Sequence, residues 1–275
     1  MYSIATINSL DRLRRSRKSR RRNDLAWILD TNKTLTHVIS LQKSTPGTAA
    51  VIDWGDGGKT YVGATGVVVK CSHTYASESQ QYAVSITGGV SLVRYVTPTS
   101  GIVFLNLDLP GLPGAEKMFS LDAESRNVYF SFGKDCRLPQ DALSLEGMFE
   151  RVQSRVTLVP LPATMTLPRG LVSARGMFSS ASGVEKVPLT FWPARGFTSG
   201  GTIDLRGMFA WAGFGQSIAP SHLLWDSDRT FLVDETTFHS PYTIPSWLNH
   251  AGPYTDPESG MTFTKIPASW GGAPD

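Results

Sequence analysis

Four stretches in the first third of the chain read as strands, and several of them set apolar against polar positions with a period near two: 36–41 (THVISL), 49–54 (AAVIDW), 66–71 (GVVVKC) and 82–86 (YAVSI). An extended chain turns successive side chains to opposite faces, so this pattern predicts half-buried β-strands. Turn-forming clusters at 44–47 (STPG), 55–58 (GDGG) and 88–89 (GG) separate some of them. Short strands at this spacing predict an antiparallel sandwich over 24–98.

Beyond residue 98 a longer period takes over. Met118-Phe119, Met148-Phe149, Met177-Phe178 and Met208-Phe209 recur at intervals of 30, 29 and 31, and Thr237-Phe238 follows 29 residues later. Three residues before each Phe stands a charged side chain: Glu116, Glu146, Arg175, Arg206 and Glu235. Six before it lie Pro113, Leu143, Val172, Ile203 and Leu232, and a proline-marked step follows at Val159-Pro160, Val187-Pro188, Ala219-Pro220 and Ile244-Pro245. A 30-residue unit cannot bury its own apolar face, so such units stack, and the Met-Phe column becomes a shared core. Met fills irregular gaps and Phe buries large area. No His/Cys set accompanies the column to make it a cofactor site.

Both regions resemble known families. Ile52-Asp53-Trp54-Gly55-Asp56-Gly57, then His73-Thr74-Tyr75, then Tyr82-Ala83-Val84 resembles the pattern of polycystic-kidney-disease (PKD) domains. That resemblance implies an immunoglobulin-like sandwich without catalysis. It makes Trp54 and Tyr82 core residues, Asp56-Gly57 a turn and His73 a buried hydrogen-bonding residue. The repeats are similar to degenerate leucine-rich repeats of the BspA type, which occur in bacterial surface proteins and in phage tail or capsid accessory proteins. They depart from that type after Met-Phe, where Glu150-Arg151, Ser179-Ser180 and Ala210-Trp211 replace the usual Gly-Cys. The expected fold is therefore mainly β: a basic arm (1–23), an immunoglobulin-like sandwich (24–98), and a leucine-rich-repeat-like solenoid with a C-terminal cap (99–275).

Charge changes the picture at one place. The 275 residues carry a net charge of +3, but 12–22 (RLRRSRKSRRR) holds eight of the 26 basic residues and no acid. The rest has 18 basic against 23 acidic side chains, a balance of −5. Arg12, Arg14, Arg15, Arg17, Lys18, Arg20, Arg21 and Arg22 repel one another and need an anionic partner, which makes the arm a docking element. Partners that fit are an acidic surface on other virion proteins, packaged nucleic acid, or an anionic membrane. With no aromatic residue for base stacking, nucleic-acid contact would be sequence-blind.

Catalytic chemistry finds no constellation. Gly57-Gly58-Lys59-Thr60 ends like a phosphate loop, but Asp53 stands where its first glycine belongs, and a β-branched run follows where a helix is needed. Asp53 and Asp56 are three apart with no closing glutamate, so no Ca²⁺ loop forms. His37, His73, His222, His239 and His250 make no metal motif, and no nucleophile elbow is present. Cys71 and Cys136 read as free thiols. No apolar run reaches the ~20 residues of a membrane helix, and the N-terminus has no secretory pattern. The expectation is a non-enzymatic structural or adhesion protein of a bacteriophage virion (head fibre, decoration or tail-associated), without cofactor or metal. It would be part of a larger assembly, itself able to form a homo-oligomer, and would display its repeats to a host-surface glycan or protein. The alternatives are a bacterial cell-surface adhesin with atypical export, and a nucleic-acid-associated protein acting through the arm.

Overall fold

The computed structural model describes residues 24–31, 34–44, 49–78, 80–95, 101–120, 129–152, 159–181, 184, 187–193, 196–198, 200–212, 230–234, 237, 254–255 and 262–263. They are mainly β, with a single 3₁₀ turn at Leu189–Phe191 among them. The strands are β1 (Leu25–Asp30), β2 (Thr36–Lys43), β3 (Ala50–Asp53), β4 (Lys59–Val62), β5 (Val68–Thr74), β6 (Gln81–Thr87), β7 (Val90–Tyr95), β8 (Gly101–Asn106), β9 (Tyr129–Phe132), β10 (Thr202–Asp204), β11 (Thr230–Leu232), β12 (Tyr254–Thr255) and β13 (Thr262–Phe263). Six of them form a sheet in the order β4-β3-β6-β1-β8-β9, and three form a second sheet, β5-β2-β7.

β1 lies inside the larger sheet, antiparallel to β6 on one side and to β8 on the other. Its sequence, LAWILD, is buried at every position but the last. A strand covered on both faces reads as a continuous apolar run rather than an alternation, which is why the period-two pattern passes over it. Edge strand β5 shows the opposite: exposed Val68, Lys70, Ser72 and Thr74 alternate with more buried neighbours. Hydrogen bonding does not stop at 98/99, because β8 pairs with β1 and then, in parallel, with β9.

The two sheets and the Met-Phe region share one core. Trp27 of β1 stands edge-on to Tyr95 of β7 (centroids 5.9 Å apart) and to Phe119 (5.5 Å). Phe104 of β8 meets Phe119 and Phe149 at 4.7 and 5.1 Å. The Tyr95 N–H donates to the Met118 carbonyl at 2.8 Å, joining β7 to the first Met-Phe pair through the backbone.

The Met-Phe pairs then follow as a ladder of four rungs, centred on Phe119, Phe149, Phe178 and Phe209. The Phe119, Phe149 and Phe178 N–H groups donate to the carbonyls of Met148, Met177 and Met208, at 2.9, 2.8 and 2.8 Å. The rings follow the same repeat, with centroids 6.1, 5.1 and 5.4 Å apart and interplanar angles of 7°, 13° and 3°. Rungs paired like β-strands sit about 4.8 Å apart, so parallel rings stack without leaving their rung. The second, third and fourth rungs each turn twice. In the second, Met148 N–H closes on Leu145 C=O and Val152 N–H on Phe149 C=O. The third residues of these turns, Gly147 and Arg151, have φ of 58° and 62°. The same places in the other rungs hold Lys117 (52°), Gly176 (60°) and Gly207 (61°), then Ser180 (57°) and Trp211 (60°). The glycine before Met-Phe thus answers a backbone that must be left-handed there.

Candidate interaction surfaces

Arg12, Arg14, Arg15, Arg17, Lys18, Arg20, Arg21 and Arg22 of the basic arm, expected to dock, lie outside the described residues. Where the description begins, Asn106 Nδ2–H donates to the carbonyls of Asp24 and Asp108, at 2.8 and 3.0 Å. The arm therefore joins the body at the β1–β8 end of the large sheet, at the start of the segment leading to the ladder.

The glycine-rich stretch 55–58 closes the β3–β4 hairpin, in which Asp53 pairs with Lys59. Trp54 N–H donates to Gly58 C=O at 3.0 Å, and Gly55 and Gly57 have φ of 89° and 101°. Lys59 is an exposed strand residue. Around the turn an aromatic cluster builds up. Buried Trp54 donates its indole N–H to Thr60 Oγ1 at 3.0 Å. Tyr75 O–H donates to the Trp54 carbonyl at 2.8 Å, and its ring stacks on Tyr82 at 4.1 Å.

His73 does not take the buried place expected of it. It lies on the outer face of Trp54 (5.0 Å, 14°), with 21% of its side chain exposed, and meets Asp56 Oδ2 through Nε2 at 2.7 Å. As the strand leaves the core through β5, an edge, the ring covers the indole while staying in contact with water. Burial raises the Asp56 carboxyl, but the bonds from His73 and from the Gly58 N–H outweigh it and hold it below its ordinary value. The buried histidine is His37. Its Nε2 faces the Thr34 carbonyl at 3.0 Å and must donate to it, so Nδ1 accepts from Tyr95 O–H at 2.7 Å. Desolvation lowers the basicity of this ring against the bond to Thr34, with repulsion from His73 adding to the fall.

In the ladder, Met118, Phe119, Met148, Phe149, Met177, Phe178, Met208 and Phe209 are all buried. Phe238 lies outside the described residues, while its neighbour Thr237 is buried and its carbonyl accepts from Phe209 N–H at 3.0 Å. Burial recurs every third residue up to the Met: Leu112, Ala115 and Met118; Ala142, Leu145 and Met148; Leu171, Ala174 and Met177. The residue after each of the first two in every triplet is exposed, so Pro113, Leu143 and Val172, with Glu116, Glu146 and Arg175, sit on one outer surface. Leu143 and Val172 are 52% and 48% exposed. The fourth rung departs, because Ile203 is buried while Thr202 is exposed. Arg206 continues the charged column and forks onto Asp204, with Nη2 2.7 Å from Oδ2 and Nε 3.0 Å from Oδ1.

Both cysteines are unpaired and buried, and desolvation pushes both thiols up, away from the thiolate that nucleophilic chemistry requires. Among the described residues no group of three or more His, Cys, Asp or Glu side chains could hold a metal ion, and no helix is long and apolar enough to cross a membrane. His222, His239 and His250 lie outside the described residues. Neither a family model, nor a curated protein, nor a solved structure matches the chain.

Proposed function

We propose that this protein is a non-enzymatic structural component of a bacteriophage virion, such as a head fibre, decoration or tail-associated protein. In this reading the basic arm docks it to an acidic surface of the particle. The two sheets form an immunoglobulin-like sandwich of the PKD kind, and the rungs form a leucine-rich-repeat-like solenoid that meets a host-surface glycan or protein. One observation carries the reading: the chain joins a dense cationic segment to a stiff body whose aromatic core runs without a break from Trp27 through Phe119 and Phe149 to Phe178 and Phe209. A body of stacked rungs resists bending and presents a regular outer surface, as a displayed spacer must.

The test removes residues 1–23. The melting temperature of the body is expected to stay within a degree or two, since surface changes outside the core stay within about 0.5 kcal/mol, while incorporation into the particle is lost. Retained incorporation would overturn the docking role. A second reading follows from the arm's charge, in which it grips packaged nucleic acid. Nuclease treatment then releases the protein, and log affinity falls by about 0.9 per phosphate contacted for each unit of log salt. Docking to a protein surface also weakens with salt, but it depends on local acidic residues and nuclease treatment does not release the protein.

A further inference from the structure

We propose that the outer surface of the ladder binds a second copy of this chain, the two ladders lying face to face with their rungs in opposite order. The sign order of the charged column points to that occupant. On the four described rungs it reads Glu116, Glu146, Arg175, Arg206, acidic in the first two and basic in the next two, while the fifth member, Glu235, lies outside the described residues. A half-turn about an axis along the strand direction, between the second and third rungs, maps this column onto its own complement. Glu146 of one copy then faces Arg175 of the other, Glu116 faces Arg206, and each contact occurs twice, as a two-fold interface requires.

The other outer positions obey the same operation. Leu143 meets Val172 of the second copy, so the two large apolar side chains most exposed on this surface cover one another. Lys117 on the first rung faces Gly207 on the fourth and so meets no like charge. Neighbouring charges offset part of the pattern: Glu150 and Arg151 pair with each other at 3.8 Å, Arg206 is forked onto Asp204 and also feels Asp234, and Asp204 lies within the field of Arg175. That second pair damps the outer contact, so the inner Glu146–Arg175 couple decides the association. Four rungs at about 4.8 Å give a patch smaller than the roughly 800 Å² per partner of a standard interface. The contact is therefore weak between isolated copies and gains from many copies held side by side. It does not depend on the arm or on the host-binding reading.

Sedimentation equilibrium of the full chain over a wide concentration range tests this, with folding of each variant checked by its thermal melt. The wild-type chain is expected to self-associate, more weakly as salt rises. Glu146→Arg and Arg175→Glu, each alone, place like charges opposite each other and should weaken association on the order of tenfold or more. Two further results are specific to the proposed symmetry. The double variant E146R/R175E recovers association, and the two single variants, mixed, bind each other better than either binds itself. A wild-type chain that stays monomeric, single variants that associate like the wild type, or a double variant as weak as the singles would each overturn the proposal.

Discussion

At Gly55 an added methyl group would sit 2.6 Å from the Ala83 carbonyl oxygen and 2.8 Å from its nitrogen, on a backbone at φ +89°. Both neighbours belong to β6 and cannot step aside. At Gly176 the backbone is also left-handed, at +60°, but the nearest atom to a new Cβ is that of Ser179, at an ordinary 3.7 Å. Gly55→Ala is therefore expected to destabilise by roughly 2–4 kcal/mol, from clash and conformation together. Gly176→Ala should lose only about 1 kcal/mol, from conformation. Urea melts of both separate the two causes, and equal losses would contradict the assignment. The histidines give a second residue-scale test. His37 is less basic in the folded state than its unfolded value of about 6.5, so its share of stability is full above that pH and is lost as pH falls through the folded value. Asp56, also held below its ordinary value, acts in the same direction but at lower pH, below about 4. Stability is thus expected to fall in two steps on acidification. Asp56→Asn should shrink the lower one by the share of this partly exposed pair, within about 1 kcal/mol, leaving the share of Asp204, which Arg206 also holds below its ordinary value.

The ladder is where a sequence pattern and a three-dimensional element meet most closely. Four Met-Phe pairs at near-constant spacing are legible because each rung needs the same buried ring at the same place. The glycine before Met-Phe is legible for a related reason, since a left-handed turn residue favours it. Other features are not, because they depend on partners remote in sequence. Ile203 falls six before its Phe like Leu143 and Val172, yet it is buried, in β10 where it pairs with Phe231 of β11. The proline step is displaced as well: Val159 bridges Val184, three residues before Val187. Phe178, stacked between Phe149 and Phe209, is the ring whose loss opens the column at both faces. Phe178→Ala is expected to destabilise by about 3–5 kcal/mol in equilibrium unfolding. A loss below about 1 kcal/mol would mean that the column does not hold the rungs together.

For the molecule as a whole, composition and alternation made its mainly β character legible, while the joining of its parts was not. β1 carries no alternation, being covered on both faces, and β8 lies beyond the point where the pattern changes, yet the two pair in one sheet. Trp27 at one end of the sequence and Phe119 some ninety residues later show no local sign that they touch. The order of signs at Glu116, Glu146, Arg175 and Arg206 was visible throughout, but it acquires meaning only when the residues are known to share a surface. The central claim is that sheets and ladder form one stiff body, and native-state hydrogen exchange of single amides tests it most directly. The N–H groups of Phe119, Phe149 and Phe178 are each held by the next rung, and those of β1 and β6 are held within the large sheet. Ladder and sheet amides should open with the same free energy, as one cooperative unit. Ladder amides that exchange orders of magnitude faster than those of β1 and β6 would contradict it.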